Sequence, residues 1–319
     1  MNLSVLTPRN IEAMIFQQLN QPPDQTYVDA LCGPIKTTNQ ESESYFDVGS
    51  VPAMSELKGG RPTNNVRPIG PWVVTNRLFG VAMRVHKNEL DLDKTGQVQQ
   101  RIDDLTGRFN QHWDDLAIRR IKGGTTTACY DGQFYHSTTH QEGDSPTQSN
   151  SITSASGATP STPTATAYQD AIFKAITQMN VVVDDTGYPA YRSQKDFVLV
   201  VPPSHLKSVA GALNTTAIPG GAGESNVLVS YGKYTFQVVD HPLLATTVGG
   251  AAWTDKFAIF AKDGRALMRQ HQKGWEKYIQ TKDVKSDLHY DTFMLEYGLS
   301  SMRELTYGDW KGSVLVTFT

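Results

Sequence analysis

The chain has 319 residues, 39% of them hydrophobic, with two cysteines and a formal net charge of -3 at pH 7. That near-neutral balance leaves no electrostatic footprint for nucleic acid, and no apolar run approaches the ~20 residues of a membrane span. Cys32 and Cys129 make neither a metal-type pair nor a disulfide framework, so they are expected as reduced, unpaired thiols of a soluble, cytosol-made protein.

In chain order, residues 1–20 lack the basic start and apolar core of a secretory signal. Thr7-Pro8 is a helix-start signal, and Ile11, Met14, Ile15 and Leu19 follow at helical spacing until NQPP at 20–23. Residues 21–50 are polar and acidic, with too few apolar groups for a core of their own. They read either as a disordered leader or as an arm ordered on a neighbour. Tyr45-Phe46-Asp47-Val48 reads as a strand, and so does WVVTNRLFGVAMRV at 72–85. Between them lies an excursion rich in Pro and Gly that carries Lys58, Arg61 and Arg67 against Glu56 alone. Two strands flanking so long a connection predict a hairpin that leaves the body, and loops of that length tend to be functional.

Residues 95–122 read as one long amphipathic helix. Val98, Ile102, Leu105, Phe109, Trp113 and Leu116 recur at steps of three and four, Ala117 and Ile121 continue the face, and Ile118 lies off it. Asp93 or Thr95 is the expected N-cap. Gly123-Gly124 is the expected left-handed stop. Such a rod is either an ordinary core helix of an α+β enzyme or a backbone on which other layers lie.

Beyond it, 137–167 is nearly all Ser, Thr, Pro, Ala and Gly, and is expected to be a surface loop or mobile segment without a hydrophobic core. A helix is expected from Tyr168 to Asn180, and a buried strand at 196–201 (DFVLVV). A short helix capped by Ser204 follows. Strands are then expected at 227–230, 234–240, 257–260, 266–270, 274–282, 287–297 and 312–318. No repeat and no βαβ series is present.

Chemical motifs are few. His136 and His140 have the i, i+4 spacing of a zinc helix, but no Glu follows the first, and they sit in a Ser/Thr-rich loop. DLDKTGQVQQRI at 91–102 fails as a calcium loop because Ile102 stands where a bidentate Glu is needed. Gly220-Gly221-Ala222-Gly223 follows no phosphate-binding pattern. Asp103/Asp104, Asp114/Asp115 and Asp184/Asp185 are sequence neighbours, which suit solvated faces better than acid–base work. No catalytic, cofactor-binding or metal residue is therefore assigned, and no cofactor is expected.

Several segments in fixed order carry a resemblance: YFDVGSVPAMSELKGGR, TNRLFGVAMRVHKNELDLDKTG, CYDGQFYHSTTH, VVPPSHLKSVAGALN, AIFAKDGRALMRQ and MLEYGLSSMRELTYGDW. Together the chain resembles the major head subunit family of Mu-like tailed phages. The Ser/Thr-rich 137–167 segment and the first forty residues depart from that family. The resemblance implies an α+β, HK97-like capsid fold. Its expected parts are an N-terminal arm (1–44), an E-loop hairpin (45–86), a peripheral domain with a spine helix at 96–122 (87–180), an axial domain (181–280) and return strands of the peripheral domain (281–319). It implies a homo-oligomer of hexamers and pentamers in an icosahedral shell around dsDNA, held without sequence specificity. Separate scaffold, protease and portal proteins, assembly in the host cytoplasm and a place in the virion are implied with it. Lys58, Arg61 and Arg67 are the expected subunit-interface residues, meeting Glu41, Glu43, Asp103, Asp104 or Asp115 of neighbours. Ile102, Leu105, Phe109 and Leu116 are the expected core face of the spine helix. Two other functions stay open: a non-viral compartment of the same fold, and a hydrolase holding a metal on His136, His140 and Asp144.

Overall fold

The computed structural model describes residues 8–20, 27–48, 50–51, 54, 56, 68–91, 96–191, 193–214, 226, 228 and 231–319. Its helices are α1 (Pro8–Leu19), α2 (Tyr27–Leu31), α3 (Lys87–Asp91), α4 (Gln97–Lys122), α5 (Ala165–Val181), α6 (Leu206–Asn214) and α7 (Asp287–Thr292). The strands are β1 (Lys36–Thr38), β2 (Ser42–Val48), β3 (Pro68–Thr75), β4 (Arg77–His86), β5 (Ser151–Ser154) and β6 (Asp196–Val201) in the first two-thirds. They continue as β7 (Thr235–Asp240), β8 (Lys256–Ala261), β9 (Leu267–Gln272), β10 (Tyr278–Lys282), β11 (Met294–Tyr307) and β12 (Ser313–Phe318).

Among the described residues three sheets result: β1-β9-β11-β10 with β4 also on β11, β5-β12-β8-β6-β7, and the two-stranded β2-β3. The fourteen residues of β11 tie the first sheet together. One edge of β11 pairs along Met294–Arg303 with β4; elsewhere it pairs with β10 and, nearer its end, with β9. The second sheet is apolar on both faces. Val198, Val200, Ala258 and Phe260 point to one cluster, and Phe197, Leu199, Phe257 and Ile259 to another that α5 and α6 cover. That two-sided burial explains the unbroken apolar run of β6.

Helix α4 has 26 residues, ~39 Å of rod. Ile102, Leu105 and Phe109 are buried with α1 and with Val85, Leu295, Tyr297 and Leu299 of β4 and β11. Leu116 is half-buried at the adjoining cluster. Ile118, expected off the face, is fully buried. The last turns of α4 are covered from a second side by α2, which the expected polar arm had not included. In α2, Val28, Ala30 and Leu31 enter the core, so at least 27–38 dock on their own subunit. Gly96, at φ +73, is the N-cap of α4 without a side-chain bond; Asp93 and Thr95 lie outside the described residues. Gly123 is right-handed rather than left-handed, and the helix tightens into a 3-10 turn over Gly123–Thr125. Gly124 has a packing reason: a Cβ there would stand 2.5 Å from the His136 ring.

Other expectations are corrected. The stretch 72–85 is two strands, broken at the buried Asn76. Residues 287–292 are helix, capped by Ser286 accepting from the His289 N–H and ended by Phe293 at φ 55, because six alternating residues fit either period when a cap is present. Of the expected strand at 227–230 only Leu228 is described, and it is helical. Residues 137–167 bring few apolar side chains yet are built in: β5 pairs in parallel with β12, and His140, Glu142, Ser145, Asn150 and Ser156 are buried. Residues 313–318 form β12, hydrogen-bonded between β5 and β8 in the second sheet.

Replacing Leu105, 4% exposed, by Ala is expected to cost ~2–5 kcal/mol in urea unfolding; a loss under ~0.5 kcal/mol would show that this face carries no core. Asp114 is buried and accepts from the Val28 N–H at 3.1 Å. Burial, with Asp115 and Asp29 near by, pushes its carboxyl from 3.8 up to about 6. A raised folded value favours the protonated form, so that stabilisation is present at low pH and lost as pH rises through about 6. Asp114→Asn keeps the acceptor and removes the charge. Its thermal midpoint is expected to exceed wild type above pH ~7 and to match it near pH ~4; a gain independent of pH would contradict this account.

Candidate assembly hairpin and its buried polar footing

An isolated two-stranded hairpin is marginal in water. The β2–β3 hairpin pairs with no other sheet among the described residues, so its footing on the body decides whether it stands. The footing is specific. The Tyr45 hydroxyl donates to Gln270 Oε1 at 2.5 Å, with the Lys36 ammonium 4.1 Å from the ring centre. The Gln270 amide donates to the Val74 carbonyl at 3.3 Å, and Thr38 donates to Glu43 at 2.7 Å. Trp72 packs on Tyr130, ring centres 5.2 Å apart. Past the strand, the Ser50 N–H donates to Asp185 at 2.9 Å.

Away from the footing the hairpin shows apolar groups to solvent: Phe46 is 57% exposed, Val73 61%, Val51 87% and Met54 100%. Phe46 and Val73 lie on the ribbon and Val51 and Met54 just past β2, an exposed apolar set of the kind that marks interaction surfaces. Lys58, Arg61 and Arg67 lie outside the described residues. Several acidic groups matched with them already have contacts within the subunit: Glu43 with Thr38, Asp103 with Gln99, and Asp115 with His241.

Beneath Tyr130 lies a polar cluster that closes off the footing. Glu142, 3% exposed, accepts from Trp310 Nε1 at 3.0 Å and from the Lys311 ammonium at 2.8 and 2.7 Å, and also from the Tyr130 hydroxyl. Asp309 stands 3.2 Å from the same ammonium. Burial opposes the Lys311 charge, but Asp309 and Glu142 hold its pKa above the ordinary lysine value. Burial first, then Asp309 and Glu142, raise the Tyr130 phenol, which keeps it a donor.

Adjoining it, His140 stacks on Trp310, centres 4.0 Å apart and planes within 5°, and its Nδ1 lies 2.6 Å from Asp131. The Cys129 thiol donates to the other Asp131 oxygen at 3.0 Å. Burial works against the Asp131 charge, yet these two bonds hold its carboxyl below the usual range. Burial and Asp131 raise the Cys129 thiol. Both cysteines are unpaired. The triad proposed for a hydrolytic metal is not assembled: His136 packs on Tyr135 and Phe260, where burial and then His140 push its pKa down to about 3, and Asp144 is exposed. The sequence offered no signal for the Glu142–Lys311 pair, whose members lie 169 residues apart. The nearest hint was a lysine flanked by Trp310 and an apolar strand.

A family model described as "Mu-like prophage major head subunit gpT" matches residues 13–168. The Mu-like prophage FluMu major head subunit of Haemophilus influenzae is 26% identical over 109 residues, 34% of this chain; the match spans 35% of that relative's own length. Among solved structures, the capsid of the cyanophage P-SCSP1u superposes with a TM-score of 0.60 at 14% identity, covering 100% of this chain and 92% of that one. A virus-like particle from Pyrococcus furiosus gives 0.53 at 12% identity, covering 97% and 98%. The fold is that of the HK97-like phage capsid proteins.

Removing one member of the buried pair is expected to leave an uncompensated charge. Lys311→Met should cost ~3–5 kcal/mol in chemical denaturation, and adding Glu142→Gln, which removes the stranded charge while keeping an acceptor for Trp310 and Tyr130, should recover part of it. A double variant as unstable as the single one would contradict the pairing argument.

Proposed function

We propose that this chain is a major head subunit of the Mu-like kind, a structural protein that closes into an icosahedral shell of hexamers and pentamers around dsDNA. The observation that carries the reading is the joint one. A capsid fold matches over nearly the whole of both chains, and the Mu-like head-subunit match covers the arm, the hairpin and α4. In this reading α4 is the spine of a peripheral domain built on β4, β9, β10 and β11. The sheet β5-β12-β8-β6-β7 with α5 and α6 is the axial domain, and β2–β3 is the footing of an E-loop. Such a subunit acts by presenting surfaces, and no catalytic residue or cofactor enters the mechanism. Packaged DNA would be confined by the shell rather than gripped, which fits a formal charge of -3. Scaffold, protease and portal proteins would be separate chains. No helix among the described residues is long and apolar enough to cross a membrane, consistent with a place in the virion.

The likeness to the Pyrococcus furiosus particle supports a second reading, a non-viral compartment shell. The Mu-like match favours the first. Phage DNA or a portal protein co-purifying with the shells would separate them.

The exposed apolar groups beside the hairpin and the three cations of 57–67 supply the assembly step. The hairpin crosses to an adjacent subunit, its apolar side covered there and Lys58, Arg61 and Arg67 meeting acidic groups. One exposed pair contributes under ~1 kcal/mol, but repetition round a shell multiplies it. Electron microscopy of the expressed protein is expected to show closed shells. Arg61→Glu with Arg67→Glu should leave a folded, soluble subunit that forms none. Normal shells from that variant at physiological salt would overturn the interface assignment, and absence of any ordered assembly from wild type would overturn the function. Denaturing gels should show single-chain bands only, without a covalent link through Lys58.

A further inference from the structure

We propose that Cys129, Asp131 and His140 form a zinc-binding site under the hairpin footing. Sγ of Cys129, a carboxylate oxygen of Asp131 and a ring nitrogen of His140 all lie within 4.8 Å of one another. In a tetrahedral site with bonds of ~2.0–2.3 Å, ligand atoms stand about 3.2–3.7 Å apart. The observed 3.0 Å from Sγ to Oδ1 and 2.6 Å from Nδ1 to Oδ2 need only small opening for an ion to replace the two hydrogen bonds. A thiolate, an imidazole and a carboxylate select a borderline-soft ion such as Zn²⁺ over Ca²⁺ or Mg²⁺.

The ligands are fixed before any ion arrives. Cys129 and Asp131 share a tight turn closed by Cys129 N–H to the Gln133 carbonyl at 2.8 Å and Gly132 N–H to the Cys129 carbonyl at 3.1 Å, with Gly132 at φ +80. His140 is held by a reciprocal backbone pair with Gln148 and by its stack on Trp310. Its imidazole is fully buried, and Nε2 has no hydrogen-bond partner. Cys129 is half-buried and gives the entry path.

Charge and protons balance. Binding expels the thiol proton of Cys129 to solvent, and the imidazole proton moves from Nδ1 to Nε2. With Asp131 ionised and the thiol and imidazole neutral, the site carries one net negative charge before binding; one thiolate and one carboxylate then neutralise the dication, so the loaded site carries none. Tyr130, between two of the ligands, carries Trp72 of the hairpin, so the ion would stiffen that footing.

The test uses the full-length protein purified without chelator. Elemental analysis should find zinc in stoichiometric amount. Co²⁺ titration of the zinc-stripped protein should raise a thiolate-to-cobalt charge-transfer band that Cys129→Ser abolishes with unchanged circular dichroism. On wild type, Zn²⁺ should block alkylation of Cys129 by iodoacetamide, mapped by mass spectrometry, with the buried Cys32 as internal reference. That protection decides the matter even if the variant does not fold. Absence of the cobalt band in wild type, its persistence in a folded Cys129→Ser protein, or alkylation of Cys129 at the same rate with and without Zn²⁺ would each overturn the site.

Discussion

The packing of α4 across β11 is the contact on which the other layers depend. The strand alternates half-buried and buried residues along most of its length, and the buried set faces the helix. Toward the N-terminal half of α4 the contact is purely apolar. In the middle it passes over Arg303, 2% exposed, whose guanidinium lies 4.4 Å from the Phe109 ring centre and 5.0 Å from that of Trp113. Two aromatic faces stand in for lost water there, and the pKa of Arg303 falls to about 10 with burial. Toward the C-terminal end the contact becomes polar and directional. Arg120 donates to the Leu305 carbonyl and to Glu304, both at 2.7 Å, and the Tyr307 hydroxyl donates to the Arg120 carbonyl at 2.7 Å. Lys122 then reaches the carbonyls of Leu243, Thr246 and Val248. Apolar contact sets which face is buried, and the directional bonds set the register of helix on strand.

A different kind of cohesion holds residues 123–156. Asn150 is fully buried and works as a hub. Its amide donates to the carbonyls of Tyr135 and Trp310, its side-chain oxygen accepts from the Ser137 N–H, and its carbonyl accepts from Leu315. Two of those bonds knit the polar segment together, and two join it to Trp310 and to Leu315 of β12. Satisfied buried networks of this kind specify one arrangement strongly, because any alternative strands several groups at once.

That difference explains what was legible in the sequence. Helix α4, strands β6 and β8 and the hairpin flanks were readable because hydrophobic periodicity reports burial. Ile118 misled because a second layer, α2, lies where one-sided periodicity expects solvent. The segment 137–167 misled for the opposite reason: Ser, Thr and Asn carry no periodic signal, and their partners, Trp310 and Leu315 among them, are more than 150 residues away. Of the candidate interface, the hairpin was visible as an unusual excursion between strands. Its footing on Gln270 and Tyr130 was not, since no local pattern announces a clamp made by single side chains. The Cys129, Asp131 and His140 grouping has no spacing signature: the turn at Gly132 and the pairing of His140 with Gln148 bring it together, whereas helix-type spacing points from His140 to His136.

The order in which the chain supplies its strands has a kinetic consequence. Strand β4 finds its partner β11 only after more than 200 further residues, and β5 waits for β12 at the very end. Neither principal sheet can close on a ribosome-bound chain until β11 and β12 have emerged. High sequence separation of contacts slows folding and leaves strand edges open meanwhile. The same arrangement is a completeness check: a chain truncated before β11 lacks the strand on which α4 rests, so prematurely ended products cannot fold to the native surface. For the shell subunit proposed above, which would be repeated many times, the topology thereby does the work of proofreading.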